Sequence, residues 1–220
     1  MFQNNSNSMS KEQNATISRI NQTFEYNIQL IEKIQKHSID AAVVFSVSLL
    51  ETILCEYFYF SKNRWFDHCR KTGEIPIPVL DTPVARQQLR KYLKNNRLLD
   101  EFLEMRYIYE HISNSDLLAL NEVLVKKINF QNLKSDDYRG AVKAYKIFLN
   151  IDLELCVASD KKESRERWMI LSQLIQARHG IIHRGKKSDI EKTQIATVLL
   201  SLKYLKKDLT EKLCVVYGNP

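Results

Sequence analysis

The residue types that could do chemistry are concentrated in one ten-residue segment, Arg178 to Lys187. This segment contains two of the five histidines of the chain, two of its five glycines, four permanently charged cations and no acid. Arginine and lysine bind phosphate oxygens, and histidine is the side chain best suited to proton transfer near neutral pH. The segment therefore predicts acid–base chemistry on a ligand that carries phosphate.

Two glycines in this segment predict a bend that would bring Arg178 and His183 together. Gly180 lies between these two residues and Gly185 follows them. Glycine adopts backbone conformations that other residues avoid, so it commonly marks a turn. We therefore predict that a helix starting near Ser164 ends at Arg178, and that the basic residues after it form a turn.

Two amphipathic helices would hold this turn. On the predicted helix 164–178, Arg178 falls in the same arc as four apolar residues, Trp168, Leu171, Leu174 and Ile175. An arginine on a buried face needs a partner or a water-filled cleft, because an unpaired buried charge is costly. The next helix is predicted to start after Ser188, because Ser188 and Glu191 have the spacing of a capping box. Its apolar stripe consists of Ile195, Val198, Leu202, Leu205 and Leu209.

The same spacing of an arginine and a histidine occurs a second time, at Arg106 and His111. Residues five apart on an unbroken helix point about 140° away from each other. No glycine separates Arg106 from His111, so we expect their side chains to diverge and His111 to be structural. Because only Arg178 and His183 have glycines that would allow a bend, we predict that they, and not Arg106 and His111, are the functional pair.

The eight residues from Arg178 to Gly185, RHGIIHRG, resemble the RxxxxH signature of the HEPN superfamily. The likeness includes a polar residue directly after the arginine, two aliphatic residues before the histidine, and a position between two helices near the C-terminus. It implies an all-α fold, a HEPN-like helical bundle with an inserted helical region in the middle of the chain. It also implies a metal-independent endoribonuclease that acts as a homodimer with its active site at the two-fold interface. Such proteins commonly serve as toxins or as antiviral or stress effectors, with an antitoxin or a regulatory protein as partner.

RNA supplies its own nucleophile, the 2′-hydroxyl, so the reaction needs a base, an acid and positive charge at the phosphate. An imidazole, with a usual pKa near ~6.5, can act as base or acid, and a guanidinium can stabilise the developing charge. The resemblance implies that Arg178 and His183 are catalytic in each subunit, with His179 orienting the phosphate or supporting them. Arg184, Lys186 and Lys187 would bind RNA. Glu51, an acid on an apolar helix, is a candidate supporting residue.

Other interpretations of the same residues remain open. Arg178 could pair with Glu51 or another buried acid, and His183 could be a structural residue at a helix end. The alternative function is a non-catalytic HEPN-like domain that binds RNA, a nucleotide or a partner protein. A basic regulator that binds DNA is a third class, although no helix–turn–helix spacing supports it.

The remaining sequence predicts the helices that would carry this segment. Residues 1–12 are expected to form a disordered tail, and residues 13–220 a single domain in which 61–160 is an insertion or elaboration. An amphipathic helix is predicted up to His37, and Ser38 is expected to cap the next helix. That second helix is apolar on most sides, which predicts a central position in the core. The predicted ranges after the first helix are a helix at 39–60, a connection at 61–85, and helices at 84–111, 116–128 and 136–156.

Composition narrows the class of protein and its partners. The formal net charge is +7, and residues 160–220 hold 13 Lys and Arg against seven Asp and Glu. This excess favours nucleic acid or another polyanion as partner, and the resemblance implies RNA. The four cysteines are far apart, which predicts reduced thiols in a cytoplasmic protein. We expect no cofactor, no metal site and no membrane segment, because metal-ligand spacing is missing and the apolar run 41–50 is short.

Overall fold

The described part of the protein is built from α-helices. The computed structural model describes residues 11–72, 125–126, 128–133 and 140–217. The regular elements in these ranges confirm the predicted all-α class, and none of the described residues belongs to a β-strand. The helices are α1 (Lys11–Ile34), α2 (Ile39–Thr72), α3 (Ala141–Leu149), α4 (Lys161–Arg184) and α5 (Lys192–Tyr217), with a 3-10 helix at Leu153–Leu155.

The chain divides into two compact units. The first consists of residues 1–59 and 152–220, and the second of residues 60–151. The predicted middle region, 61–160, overlaps the second unit, which ends nine residues earlier, and its place as an insertion in a single domain over 13–220 stays a prediction. The predicted tail is wrong for Lys11 and Glu12, which belong to α1. The rest of the tail, the helix predicted at 84–111, and all but residues 125, 126 and 128 of the helix predicted at 116–128 lie outside the described residues.

Helix α1 has the predicted amphipathic pattern. Its residues Ile20, Phe24, Ile28 and Ile31 are all buried, at the three- and four-residue spacing of one helix face. Ser38 caps α2 as predicted, because its hydroxyl accepts a hydrogen bond from the Ala41 N–H at 3.1 Å. The start of α2 thus follows from local sequence, whereas α1 ends at Ile34, three residues before the predicted His37.

Helix α2 is longer than predicted. The expected connection at 61–85 is wrong for residues 61–72, which continue the helix to Thr72. No glycine or proline interrupts the chain before Gly73, and charged or aromatic residues carry only a small cost in a helix.

The segment Ile39–Lys62 of α2 is, by length and composition, a candidate for crossing a membrane. The core helix of a protein that never enters a membrane has the same properties, and 56% of this window is buried inside the structure. The apolar run 41–50 predicts no membrane span, because it stops at Glu51 and is too short to cross a bilayer. This candidate is weak evidence, so the cytoplasmic location stays a prediction.

The predicted turn at Gly180 is wrong. Helix α4 begins at Lys161, capped by the Asp160 carboxylate, and continues without interruption to Arg184. The bend is at Gly185, whose backbone is left-handed with φ 59°. Glycine inside a helix costs only about 1 kcal/mol relative to alanine. The packing of the turns before Gly180 outweighs this cost, so the helix continues past this residue.

Helix α5 starts later than predicted. The Glu191 carbonyl accepts from the N–H groups of Gln194 and Ile195, and the Gln194 side chain accepts from the Glu191 N–H at 2.8 Å. The reciprocal cap is therefore Glu191 with Gln194, not Ser188 with Glu191. The predicted stripe is confirmed, since Ile195, Val198, Leu202, Leu205 and Leu209 are fully buried.

Four helices of the first unit share one core and are connected by polar contacts. Arg19 of α1 forms an ion pair with Glu56 of α2 at 2.7 Å, and Tyr57 of α2 shares a 2.6 Å hydrogen bond with Thr210 of α5. Buried Arg167 of α4 donates to the Val157 carbonyl and lies over the ring of Tyr204. These contacts connect α1 with α2, α2 with α5, and α4 with α5 and with the segment that precedes α4.

In the second unit, the helix predicted at 136–156 is wrong in extent. Helix α3 covers nine residues, and Asn150 ends it in a left-handed conformation with φ 52°. Asparagine is one of the few residues besides glycine that adopts this conformation readily. The break predicted around Asn129–Ser135 agrees with the non-helical residues 128–133.

Candidate functional site

Two histidines lie side by side at the C-terminal end of α4. His179 and His183 are one helical turn apart, and their ring centroids are separated by 4.6 Å with an interplanar angle of 47°. Both residues are exposed. Two imidazoles within reach of one ligand are the groups that acid–base catalysis requires, one as proton acceptor and one as proton donor.

Arg178 lies on a different face of α4 and contacts α2. Its Nη1 is 3.8 Å from Oε1 of Glu51, and both side chains are 21% exposed. Because α4 is unbroken, Arg178 and His183 diverge by about 140°. The helical divergence expected for Arg106 and His111 therefore applies to this pair as well, and the two predicted catalytic residues do not converge within one chain.

The cations predicted to bind RNA follow directly after the histidines. Arg184 ends α4, and Lys186 and Lys187 lie in the linker before α5; all three are exposed. The Gly185 N–H bonds to the Ile181 carbonyl and the Lys186 N–H bonds to the Gly180 carbonyl, each at 3.2 Å. These bonds end the helix and place the cations next to the histidine pair.

Asp40 anchors this linker and was missed by the sequence analysis. Its carboxylate, in the first turn of α2, accepts a 2.9 Å hydrogen bond from the Ser188 N–H. The Ser188 hydroxyl accepts in turn from the Ile190 N–H at 3.0 Å. The linker is therefore attached to the start of the central helix. No sequence signal could have paired two residues 148 positions apart.

The pairing of His179 with His183 had a signal that the sequence analysis did not use. Residues four apart on a continuous helix face the same way. With a bend at Gly180, His179 and His183 would not lie on one continuous helix, so the prediction used the five-residue spacing from Arg178 to His183 instead. A glycine with packed helix on both sides should have been treated as helical.

A second cluster of ionisable groups lies between the 3-10 helix and α5. The buried Cys156 thiol receives a 3.4 Å contact from Nζ of Lys212, which is 2.6 Å from Asp208. Burial and the Asp208 carboxylate raise the pKa of the Cys156 thiol to about 12. A thiol with so high a pKa is a poor nucleophile, and this cluster is structural. Among the described residues, no three His, Cys, Asp or Glu side chains are grouped so that they could hold a metal ion.

Comparison with known proteins adds no family to these observations. No protein-family model, no curated protein and no solved structure matches the chain. The resemblance of residues 178–185 to the HEPN signature stays a prediction.

Proposed function

We propose that the protein is a HEPN-like, metal-independent endoribonuclease. The observation that carries the proposal is the His179–His183 pair, exposed at the end of α4 with ring centroids 4.6 Å apart. Three exposed cations, Arg184, Lys186 and Lys187, follow the pair in the chain and can hold a phosphate beside it.

The proposed reaction is a transesterification at the RNA phosphate. One imidazole of the His179–His183 pair removes the proton of the 2′-hydroxyl, whose oxygen then bonds to phosphorus. The bond from phosphorus to the 5′-oxygen breaks, and the other imidazole donates a proton to that oxygen. The products are a 2′,3′-cyclic phosphate and a 5′-hydroxyl, with no net change in protons. Arg184 and the linker lysines offset the charge that develops on the phosphate.

In this proposal His179 has a larger role than the sequence predicted. The resemblance implies one catalytic histidine, His183, in each chain, so the second proton transfer would need the other subunit. The four-residue spacing lets a single chain supply both groups. A homodimer remains part of the proposal, and Ile182, 47% exposed directly before His183, offers an apolar contact for a second copy.

Arg178 acts in the proposal as a positioning residue. Its ion pair with Glu51 holds α4 to α2 and so orients the histidine pair, which lies on a neighbouring face of the same helix. The direct contact with phosphate that the resemblance implies for Arg178 stays a prediction.

The purified protein tests the proposal in one assay. We expect it to cleave single-stranded RNA in EDTA and to leave 2′,3′-cyclic phosphate ends, because the 2′-hydroxyl and two imidazoles need no metal. Expression in cells should be toxic. Strict dependence on Mg²⁺, or products with 3′-hydroxyl ends, would contradict the mechanism.

A second candidate function is a HEPN-like domain that binds RNA, a nucleotide or a partner protein without cleaving it. The Arg178–Glu51 ion pair favours this candidate, since it engages the arginine of the signature within the fold. Such a protein should tolerate His183→Ala and lose RNA affinity when Arg184, Lys186 and Lys187 are neutralised.

A further inference from the structure

Helix α1 carries a polar and aromatic stripe on its outward face. Tyr26, Gln29 and Lys33 recur at three- and four-residue spacing, so they share one side of the helix, and Lys36 follows in the turn directly after it. All four are exposed, and Tyr26 is 67% exposed. The buried residues of α1 lie on the opposite side. A tyrosine in water has no packing role, and an aromatic ring together with two lysines is a combination that suits single-stranded nucleic acid.

A groove of about 610 Å³ lies beside this stripe, between α1 and α5. Lys33, Lys36 and Lys203 line it, together with the Gln29 amide and the half-exposed Leu200. The acid of the lining, Glu32, is 3.5 Å from Nζ of Lys203 and so is already paired. Among the described residues no acid forms an ion pair with Lys33 or Lys36. The groove therefore presents net positive charge next to apolar and amide surface.

The direction of the helices connects the groove to the candidate site. Lys203 pairs with Glu32 and Lys206 with Glu25, so α1 and α5 run antiparallel. The C-terminal end of α1 therefore adjoins the start of α5 and the linker that precedes it.

The hydrogen bond from the Ser188 N–H to Asp40 brings the linker to the same end of the unit, four residues after Lys36. Lys36 and Lys187 are thus on segments that meet at this bond. The cations that follow the histidine pair in the linker therefore lie on a segment attached near the end of the groove that contains Lys36.

We propose that the groove between α1 and α5, with Tyr26, Lys33 and Lys36, binds the single-stranded RNA that flanks the cleaved phosphate. The lysines would contact successive phosphates, and Tyr26 would stack on a base. This inference rests on the proposed function, because it extends the RNA from the histidine pair. It also makes RNA length a determinant of binding, since only a strand long enough to pass the linker reaches the groove.

Binding measurements on a non-cleaving protein test the inference. In a His183→Ala background, the fluorescence anisotropy of a labelled 20-nucleotide RNA is followed at several salt concentrations. We expect Lys33→Ala/Lys36→Ala to lower the slope of log affinity against log salt by about 1.4, from about 0.7 for each single-strand phosphate contact. Tyr26→Ala should weaken binding at least about fivefold through lost stacking, with little change in the slope.

The matched control is Lys161→Ala/Lys162→Ala, which removes two exposed lysines at the opposite end of α4. The fold loss caused by the groove substitutions should rise with RNA length from a dinucleotide to 20 nucleotides. Binding equal to that of the control would overturn the inference, even if the wild-type protein cleaves RNA in EDTA. Conversely, selective loss of RNA binding in the groove variants would support it even if the wild-type protein cleaves nothing, a result that would overturn the proposed function alone.

Discussion

The two faces of the last turns of α4 differ in what they contact. Arg178 is four-fifths buried and pairs with Glu51 of α2, whereas His179 and His183 are exposed and their tilted rings contact each other. One face holds the helix in the fold, and the other presents ionisable groups to solvent. On this continuous helix, the four-residue spacing brings His179 and His183 together, whereas the five-residue spacing of the signature separates Arg178 from His183.

The largest expected effect comes from removing the exposed imidazoles. His183→Ala or His179→Ala should lower RNA cleavage about 10²- to 10⁴-fold, the usual contribution of a general acid or base. The double variant should be about as inactive as either single variant, because the two act as one unit. Cleavage rates in EDTA measure this, and circular dichroism should show unchanged helix content since both residues are exposed.

The matched control is His111→Ala in the second Arg-x4-His match, which should keep the wild-type rate. If it loses activity as His183→Ala does, the exposed face of α4 is not the reactive one. Full activity of His183→Ala would contradict the proposed function outright.

Substitutions of the ion pair test the packed face. Arg178→Met alone should destabilise the protein by about 1–2 kcal/mol, because it leaves the mostly buried Glu51 carboxylate without this partner. The double variant Arg178→Met/Glu51→Leu should recover most of that loss, since an apolar pair replaces an ionic one at little cost. Urea denaturation midpoints give the free energies of unfolding.

The same double variant decides whether the two faces are functionally separate. If Arg178 only positions α4, the stable double variant should cleave RNA at no less than about a third of the wild-type rate. A loss beyond about 100-fold with intact stability would instead assign Arg178 the direct phosphate contact of the signature.

Substitutions of the two glycines should have opposite effects on stability, because Gly185 ends α4 and Gly180 lies within it. Gly185→Ala should destabilise by about 1 kcal/mol, since φ 59° is strained for a residue with a Cβ atom. Gly180→Ala should stabilise by up to about 1 kcal/mol, because its Cβ would meet nothing closer than 4.0 Å. Thermal unfolding compares the two. Loss of helix or of activity in Gly180→Ala would show that the bend predicted from the sequence is required.

The smallest effect is expected at the bond that connects the linker to α2. Asp40→Ala removes the acceptor of the Ser188 N–H and should cost about 0.5 kcal/mol, the low end of the usual range, because the bond is only partly buried. Asp40→Asn keeps an acceptor oxygen and should cost less. If the linker depends on this bond, Asp40→Ala should raise KM for RNA more than it lowers kcat; unchanged KM would mean that the cations need no anchor.

Much of the fold could be predicted from local sequence. The buried stripes of α1 and α5, the Ser38 cap and the all-α class follow from periodicity and capping, which depend on neighbours within one or two turns. The errors were at helix ends. Local preference predicts a break at Gly180, a cap at Ser188 and a connection at residues 61–72, and the structure has none of these. The preference of a single residue is worth about 1 kcal/mol, and packing outweighs it.

Local sequence is sufficient to predict helices on both sides of the segment Arg178–Lys187 and to identify its histidines and cations. The partners of these residues depend on three-dimensional packing, because Glu51 contacts Arg178 and Asp40 contacts Ser188 across more than a hundred residues of chain. Packing also decided that α4 continues to Arg184, which separates Arg178 from His183 and joins His179 to His183. The physical reason is that packing against α2 and α5 fixes α4 as one rigid helix, and helical geometry then assigns each side chain its face.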